Sequence, residues 1–586
     1  MEEQEKRTLD WKLLKRLLPY LRKHTGLLEL ALVLMLGLDV TDVIYPYLVK
    51  IGIDQNIAAG DWPGLLHTGM LLGLALFGRF LFFALFLYTV EYLGQRLLFD
   101  LRLDLFKKVL ALSNDYFDTT PVGKTLTNVT NDVEAIREFI SEGVVSVISD
   151  LLKLVFIVAA MLWLNTTLAL LSFITVPFFI AAAAVFRRVI RSGYRETRKA
   201  TTEINTTLVE TITGIREIHQ FNHKAQSQKE FAGHNTHYRD AYLRVVHAYS
   251  LFFPVVEIIA NGSMIIMLLY MHAAMGYSLQ VGVIFAFFSY INMFFRPLRQ
   301  LAESFNMFQS AMAATERIIK LLERDVTITP PAQPKRIAGT HLQGEITFDQ
   351  VNFAYLPDAP VLKNVSFTIR PGEKVAIVGY TGSGKTTIIN LLNRLYDVQR
   401  GAIRIDGVDV KEYDLQALRT RIATVPQDIF LFTGTVAENI GLHHPQITPP
   451  EIEFAAQQVY ADRYIAKLPN KYAENILEEG KLLSVGQKQL LSFARAFVRK
   501  PSIVVLDEAT SNIDSETEAL IEAGVKNLLA GKTAIIIAHR LSTIKSVDRI
   551  LVLHKGELVE QGSHERLLQQ GGLYRQLYEM QAFLVN

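Results

Sequence analysis

The chain of 586 residues contains no cysteine. That absence excludes disulfide frameworks, cysteine-ligated zinc, iron–sulfur clusters and a cysteine nucleophile, and it is neutral about compartment. An excess of one charge sign is also lacking, since 60 Lys and Arg stand against 58 Asp and Glu, a net +2. A nucleic-acid partner is therefore not indicated. The N-terminus is not a signal peptide, because residues 1–22 mix charged side chains with Trp11, Leu13, Leu14, Leu17, Leu18 and Leu21. That spacing fits an amphipathic segment over residues 1–24 lying on a membrane surface. A soluble amphipathic helix has the same pattern; the apolar stretch that follows at once favours the first. No internal repeat supplies a second copy of the C-terminal half.

What is present falls into two halves. Mean hydropathy is positive, +0.21, although 20% of residues are charged. An apolar block joined to a soluble one accounts for that combination. A bilayer core needs about 20 apolar residues in helix. Six stretches qualify as expected spans: 27–49, 65–88, 144–164, 168–186, 251–272 and 281–295. The last is short and continues as helix past Arg296 and Gln300, with Pro297 a candidate kink. The third carries Asp150 and Lys153, which blur its bounds. Lys and Arg are absent between Lys50 and Arg79, between Lys153 and Arg187, and between Arg244 and Arg296, whereas 96–108 and 187–244 are rich in them. The positive-inside rule puts the rich segments and both termini in the cytoplasm. The inner segments, about 90–140 and 187–247, are long, polar and helical in pattern, so helices are expected to run well beyond the bilayer.

These features predict a transmembrane domain over 25–323 and a linker over 324–343, marked by Pro330, Pro331 and Pro334. A soluble domain is expected over 344–586. There, short β-runs at 345–348, 374–378, 503–506 and 534–538 alternate with helices, the pattern of a parallel α/β sheet.

In that domain the apolar run 375–378 leads into Gly379-Tyr380-Thr381-Gly382-Ser383-Gly384-Lys385-Thr386-Thr387, followed by a helical pattern. This is G-x-x-x-x-G-K-[ST] in its strand–loop–helix setting. Glycines let several backbone N–H groups face one phosphate, and the helix N-terminus adds partial positive charge. Lys385 is expected to reach the β- and γ-phosphates and Thr386 to coordinate Mg²⁺. Downstream, the strand-like run 503–506 ends in Asp507 and Glu508. An acidic pair alone is more often an exposed turn. After a phosphate loop, Asp507 is expected to help hold Mg²⁺ and Glu508 to polarise the attacking water.

Between these motifs, Leu483-Ser484-Val485-Gly486-Gln487 resembles the L-S-G-G-Q signature of ATP-binding cassette (ABC) proteins. The rest of the cassette order resembles that family too. The resemblance implies that Tyr355 stacks on adenine and that Gln427 touches Mg²⁺ and couples to the membrane domain. It likewise implies that Ser484, Gly486 and Gln487 contact ATP, that Asp514 lies at a dimer interface, and that His539 contacts the γ-phosphate. The fold it implies is multidomain: an all-α six-helix transmembrane domain followed by an α/β P-loop ATPase domain. The layout resembles half-size exporters. Tyr116-Phe117-Asp118 with Asn131-Asp132, and Glu210 through Phe221, are similar to their two coupling regions. The stretch 483–514 is particularly similar to bacterial multidrug-resistance-like (Mdl-type) exporter subunits.

The resemblance implies ATP and Mg²⁺ as ligands, membrane lipid around the spans, and a second half-transporter subunit as partner, because one cassette cannot complete an ATP site. It implies a bacterial inner membrane and export of amphipathic small molecules driven by ATP hydrolysis. Lipid, peptide or metabolite export, siderophore import and ATP-gated regulation are the alternatives. Val485 departs from the signature, where the family has glycine. In some heterodimeric exporters one site is impaired, so a heterodimer is favoured over a homodimer. Within the expected spans, Asp39, Asp42, Arg79 and Glu257 are ionisable. They either contact substrate or pair structurally, Arg79 with Asp39 or Asp42. Phe287, Tyr290 and Phe294 recur at helical spacing and either line a cavity or pack.

Overall fold

The computed structural model describes residues 15–275, 280–335, 342–476, 480, 483–507, 515–537 and 544–585, with backbone alone at 274–275, 296–306, 515 and 581–585. Most of the 1–24 segment therefore lies outside the described residues. The chain forms two compact units. One comprises Met1–Leu110 and Val122–Arg324, the other Ala111–Pro121 and Asp325–Asn586.

The first unit is all helix among its described residues. Trp62–Ala111, Val122–Leu164, Thr166–Thr213 and Lys224–Ala273 are each long and apolar enough to cross a membrane. Thr25–Ile51 has 27 residues and extends into a π-helical turn over Gly52–Ile57. Val281–Leu322 begins with the shorter apolar run Val281–Phe295 and continues as helix to its end. A helix such as Trp62–Ala111, with 50 residues, is about 75 Å long, more than twice a bilayer core of about 30 Å. Its upper part turns Leu74, Phe77 and Phe80 outward, each more than 60% exposed, which suits lipid rather than water. Its lower part buries Leu93, Leu97, Leu101 and Leu105 at helical spacing.

The expected span 168–186 is interrupted. Helix Thr166–Phe173 stops and Val176–Thr213 restarts. Pro177 has no N–H to continue the ladder, and its ring crowds the carbonyl four residues earlier. One residue before that carbonyl, the carbonyl of Ser172 accepts from the Thr175 hydroxyl at 3.1 Å and from the buried Ser263 hydroxyl at 3.1 Å.

In the second unit, strands β1 (Ile346–Leu356), β2 (Ala359–Ile369), β4 (Arg400–Ile405) and β5 (Val408–Asp409) form an antiparallel sheet in the order β2-β1-β4-β5. A second sheet runs β12-β11-β3-β10-β9-β6. It consists of β3 (Lys374–Val378), β6 (Ile422–Val425), β9 (Ile503–Asp507), β10 (Thr533–Ile537), β11 (Arg549–His554) and β12 (Glu557–Gly562). All its pairs are parallel except the β11–β12 edge, and β7 (Gly434–Thr435) and β8 (Asn475–Ile476) form a separate two-stranded antiparallel sheet. Its central strands read Val-Ala-Ile-Val, Ile-Val-Val-Leu and Thr-Ala-Ile-Ile-Ile and are buried on both faces, as a covered parallel sheet requires. One apolar core, with Phe348, Val365 and Ile388, fills the space toward the antiparallel sheet; another, with Leu490, Phe493 and Ile536, lies under the helices on the other face.

Candidate functional site

In the parallel sheet β10 lies between β3 and β9, and Ile537 is in register with both Ile377 and Asp507. The carboxyl ends of three adjacent strands therefore converge, which is where α/β sheets place ligands. From β3 the chain turns through 379–384 into helix Lys385–Leu392. Gly384 makes that entry at φ +102, and a Cβ there would come within 2.6 Å of Leu362. Only glycine meets both demands. The Lys385 ammonium donates to the carbonyls of Gly379 and Tyr380, both at 2.9 Å, which holds it inside the loop. Burial pushes it below the usual lysine range, and Asp507 opposes that shift.

Gly382 has φ +78 and would meet nothing with a Cβ, while Thr381 beside it is exposed. The Ser383 hydroxyl is buried with no hydrogen-bond partner among the described residues. Thr386 is exposed and its hydroxyl donates to Asp507 at 3.5 Å. These oxygens fit Mg²⁺, a hard cation whose neighbouring ligands stand about 3 Å apart in an octahedron. Tyr355, on β1, donates to the Thr387 hydroxyl at 3.3 Å and accepts from Asn390 at 3.2 Å. Phe353 and Tyr396 meet its ring edge-on at 4.8 and 5.1 Å. With 42% of Tyr355 exposed, a locked ring still offers surface for a base. Gln427 is exposed, two residues beyond the end of β6 at the same edge of the sheet.

The signature residues form a second group at the start of helix Val485–Phe497. Ser484 accepts from the Gln487 N–H at 3.3 Å, and the Gln487 side chain accepts from the Ser484 N–H at 3.0 Å. This capping box satisfies two end groups of the helix reciprocally. Gly486 is buried, whereas Val485 occupies the first helical position with its side chain 57% exposed. Valine there changes the surface and not the local fold. Glu508, His539 and Asp514 lie outside the described residues.

Several partners were not foreseen from sequence. The Tyr396 hydroxyl bonds to Asp118 in the short helix Asn114–Thr119, and Thr327 bonds to Asp115 at 3.1 Å. Nothing local signals contacts across such sequence distances. In the first unit, Arg79 pairs with Asp42 at 2.5 Å, and Asp42 and Asp39 both face Lys153. Glu257 is exposed. Phe287 and Tyr290 are buried in the helical core, where Tyr290 donates to the Val43 carbonyl at 2.7 Å. Phe294 packs against Phe173 at 5.6 Å.

Models of the ABC transporter transmembrane region and of the ABC transporter match residues 28–298 and 362–511. A probable multidrug resistance ABC transporter ATP-binding/permease protein of Bacillus subtilis is 35% identical over 88% of this chain and 77% of its own. A fatty acid ABC transporter ATP-binding/permease protein of Mycobacterium tuberculosis is 37% identical, covering 82% of this chain and 76% of its own. The chain belongs to the ABC transporter family. Among solved structures, a bacterial Atm1-family ABC exporter with ATP bound matches this transporter with a TM-score of 0.76 and 27% identity over 96% of this chain and 98% of that one. The transporter therefore combines a membrane-spanning all-α region with a cytoplasmic ATP-binding domain, and it binds and hydrolyses ATP to drive export of small molecules.

Proposed function

We propose that this ABC transporter is one half of a dimeric exporter of amphipathic compounds, with six spans, both termini cytoplasmic, in a bacterial inner membrane. The observation that carries the reading is the division of the ATPase machinery into two groups. Lys385, Thr386, Asp507 and Tyr355 gather at one sheet edge, while the capped helix start at Ser484 stands as a separate, exposed acceptor for phosphate. A second subunit offering its own Ser484 equivalent would complete the site.

In the proposed site, Tyr355 stacks on adenine and the backbone of 379–384 with Lys385 cradles the phosphates. Thr386, Gln427 and Asp507 would hold Mg²⁺, which supplies charge neutralisation at the β- and γ-phosphates. Glu508, next after Asp507, orients water as general base, and His539 contacts the γ-phosphate. The amphipathic substrate class rests on relatives named for multidrug resistance and for fatty acids, compounds that share an apolar body with a polar end. The exposed Val485 side chain is what a partner's ATP would meet, which favours a heterodimer with one weakened site and agrees with the Mdl-type resemblance.

The test is ATP hydrolysis in liposomes by the chain alone and with candidate partner half-transporters, beside Glu508→Gln. Activity that needs the partner and is lost in Glu508→Gln supports the heterodimer. Full activity alone establishes a homodimer. Hydrolysis indifferent to Glu508→Gln overturns the catalytic assignment.

A further inference from the structure

Arg495 lies near the end of helix Val485–Phe497, three turns from the signature, and it is half-buried. Its guanidinium reaches out of the helix to two other segments. Nε donates to the Asn439 carbonyl at 2.9 Å and one terminal nitrogen to the Asn439 side-chain oxygen at 3.2 Å. The other terminal nitrogen donates to the Phe430 carbonyl at 3.0 Å. Asn439 is 1% exposed and completes the junction. Its oxygen also accepts from the Phe432 N–H at 2.9 Å, and its amide donates to the carbonyls of Phe432 at 2.8 Å and Thr435 at 3.1 Å.

Among the described residues every hydrogen-bond acceptor of Arg495 is neutral. Burying a cation is costly unless it is paired, and apolar side chains of similar volume would pack this position at least as stably. What a guanidinium adds is a rigid planar fork that spans acceptors on different segments at fixed angles, which a lysine ammonium cannot do. The segment it holds begins three residues after Gln427. One side chain thus joins the signature helix to the loop that follows Gln427.

We propose that Arg495 is a positioning residue for ATP hydrolysis. It locks the loop after Gln427 to the helix bearing Ser484 and Gln487, so that a displacement of either is imposed on the other. This rests on the roles of Gln427 and the signature given above. The nucleotide-holding side chains Tyr355, Lys385 and Thr386 belong to other segments, and their hydrogen bonds among the described residues do not involve Arg495. Loss of the fork should therefore slow turnover without loosening ATP.

The test uses the full chain in liposomes, in the dimer that hydrolyses ATP. Arg495→Lys keeps the charge and stem. It should lower kcat about tenfold with KM for ATP changed less than about twofold, and with the thermal unfolding midpoint kept. Asn439→Ala should lower kcat similarly, and the double variant should cost no more than either alone, because both remove one junction. A kcat within twofold of the parent, a loss that appears in KM, or additive losses in the double variant would each overturn the proposal. Lys385→Ala, measured in parallel, must abolish turnover. Activity surviving in Lys385→Ala would indict the phosphate-loop assignment and not Arg495.

Discussion

Lys153 lies 2.5 Å from Asp42 and 3.7 Å from Asp39, so one cation on the helix Val145–Leu164 serves two carboxylates on Thr25–Ile51. Asp39 is fully buried, and neither of its oxygens has a hydrogen-bond partner among the described residues. Asp42 has a second partner in Arg79, at 2.5 Å.

The pairing makes Lys153 the sensitive member. Lys153→Ala should destabilise the protein by about 3 kcal/mol, because it strands the buried charge of Asp39. Asp39→Asn in the same chain should recover most of that, since the orphaned charge is gone. Thermal unfolding in detergent reads both. Equal stability of Lys153→Ala and the parent would mean that Asp39 needs no counter-ion.

Tyr355 separates ring from hydroxyl. Tyr355→Phe retains the ring between Phe353 and Tyr396 and loses only the bonds to Thr387 and Asn390. KM for ATP should stay within about twofold. Tyr355→Ala removes a stacking surface worth about 1–3 kcal/mol, so KM should rise about tenfold or more. Steady-state hydrolysis over a range of ATP concentrations distinguishes these outcomes.

Val485 can be replaced without disturbing its helix. The capping box between Ser484 and Gln487 does not involve its side chain, and glycine costs at most about 1 kcal/mol of helix propensity. Val485→Gly should raise ATP turnover several-fold with the unfolding midpoint lowered by no more than about 4 °C. Unchanged turnover would make valine a tolerated variant.

His237 supplies a pH dependence. It belongs to the part of Lys224–Met275 that precedes the expected span 251–272, and its two ring nitrogens face Glu203 at 2.9 Å and Glu196 at 3.1 Å. Ionised carboxylates only accept, so both bonds form only when the ring carries two protons. The hydrogen bond to Glu203, then that to Glu196, raises the His237 pKa above 6.5. A raised folded pKa means stability that is fully present below the unfolded value and lost as pH rises through the folded value. The unfolding midpoint should fall as pH increases from about 6.5 upward, and His237→Gln should flatten that slope. A parallel slope in the variant would assign the pH dependence to other groups.

The features legible in the sequence are those written in consecutive residues. The run Lys374–Val378 is the strand seen, the loop 379–384 enters the helix at Lys385, and Asp507 ends its strand. The long helical extensions follow from polar helical pattern joined to apolar pattern, as in Trp62–Ala111. The break at 174–175 was written in Pro177 but masked by continuous hydrophobicity. The expected β-run 345–348 belongs to the antiparallel sheet and not to the parallel one; the hairpins β1–β2 and β4–β5 are joined only by the β1–β4 pair, whose partners, such as Ile346 and Ile405, are far apart in the chain.

The sequence by itself determined the strand, loop and helix around Lys385 and the long apolar helices, because loop conformation and helix length are set by neighbouring residues. Only the tertiary structure decided that Lys153 answers Asp39 and Asp42, that Asp118 meets Tyr396, and that Arg495 ties Asn439 to Phe430. Those pairings depend on which faces of distant elements pack together, and a charged or polar side chain carries no local mark of the partner that packing brings to it.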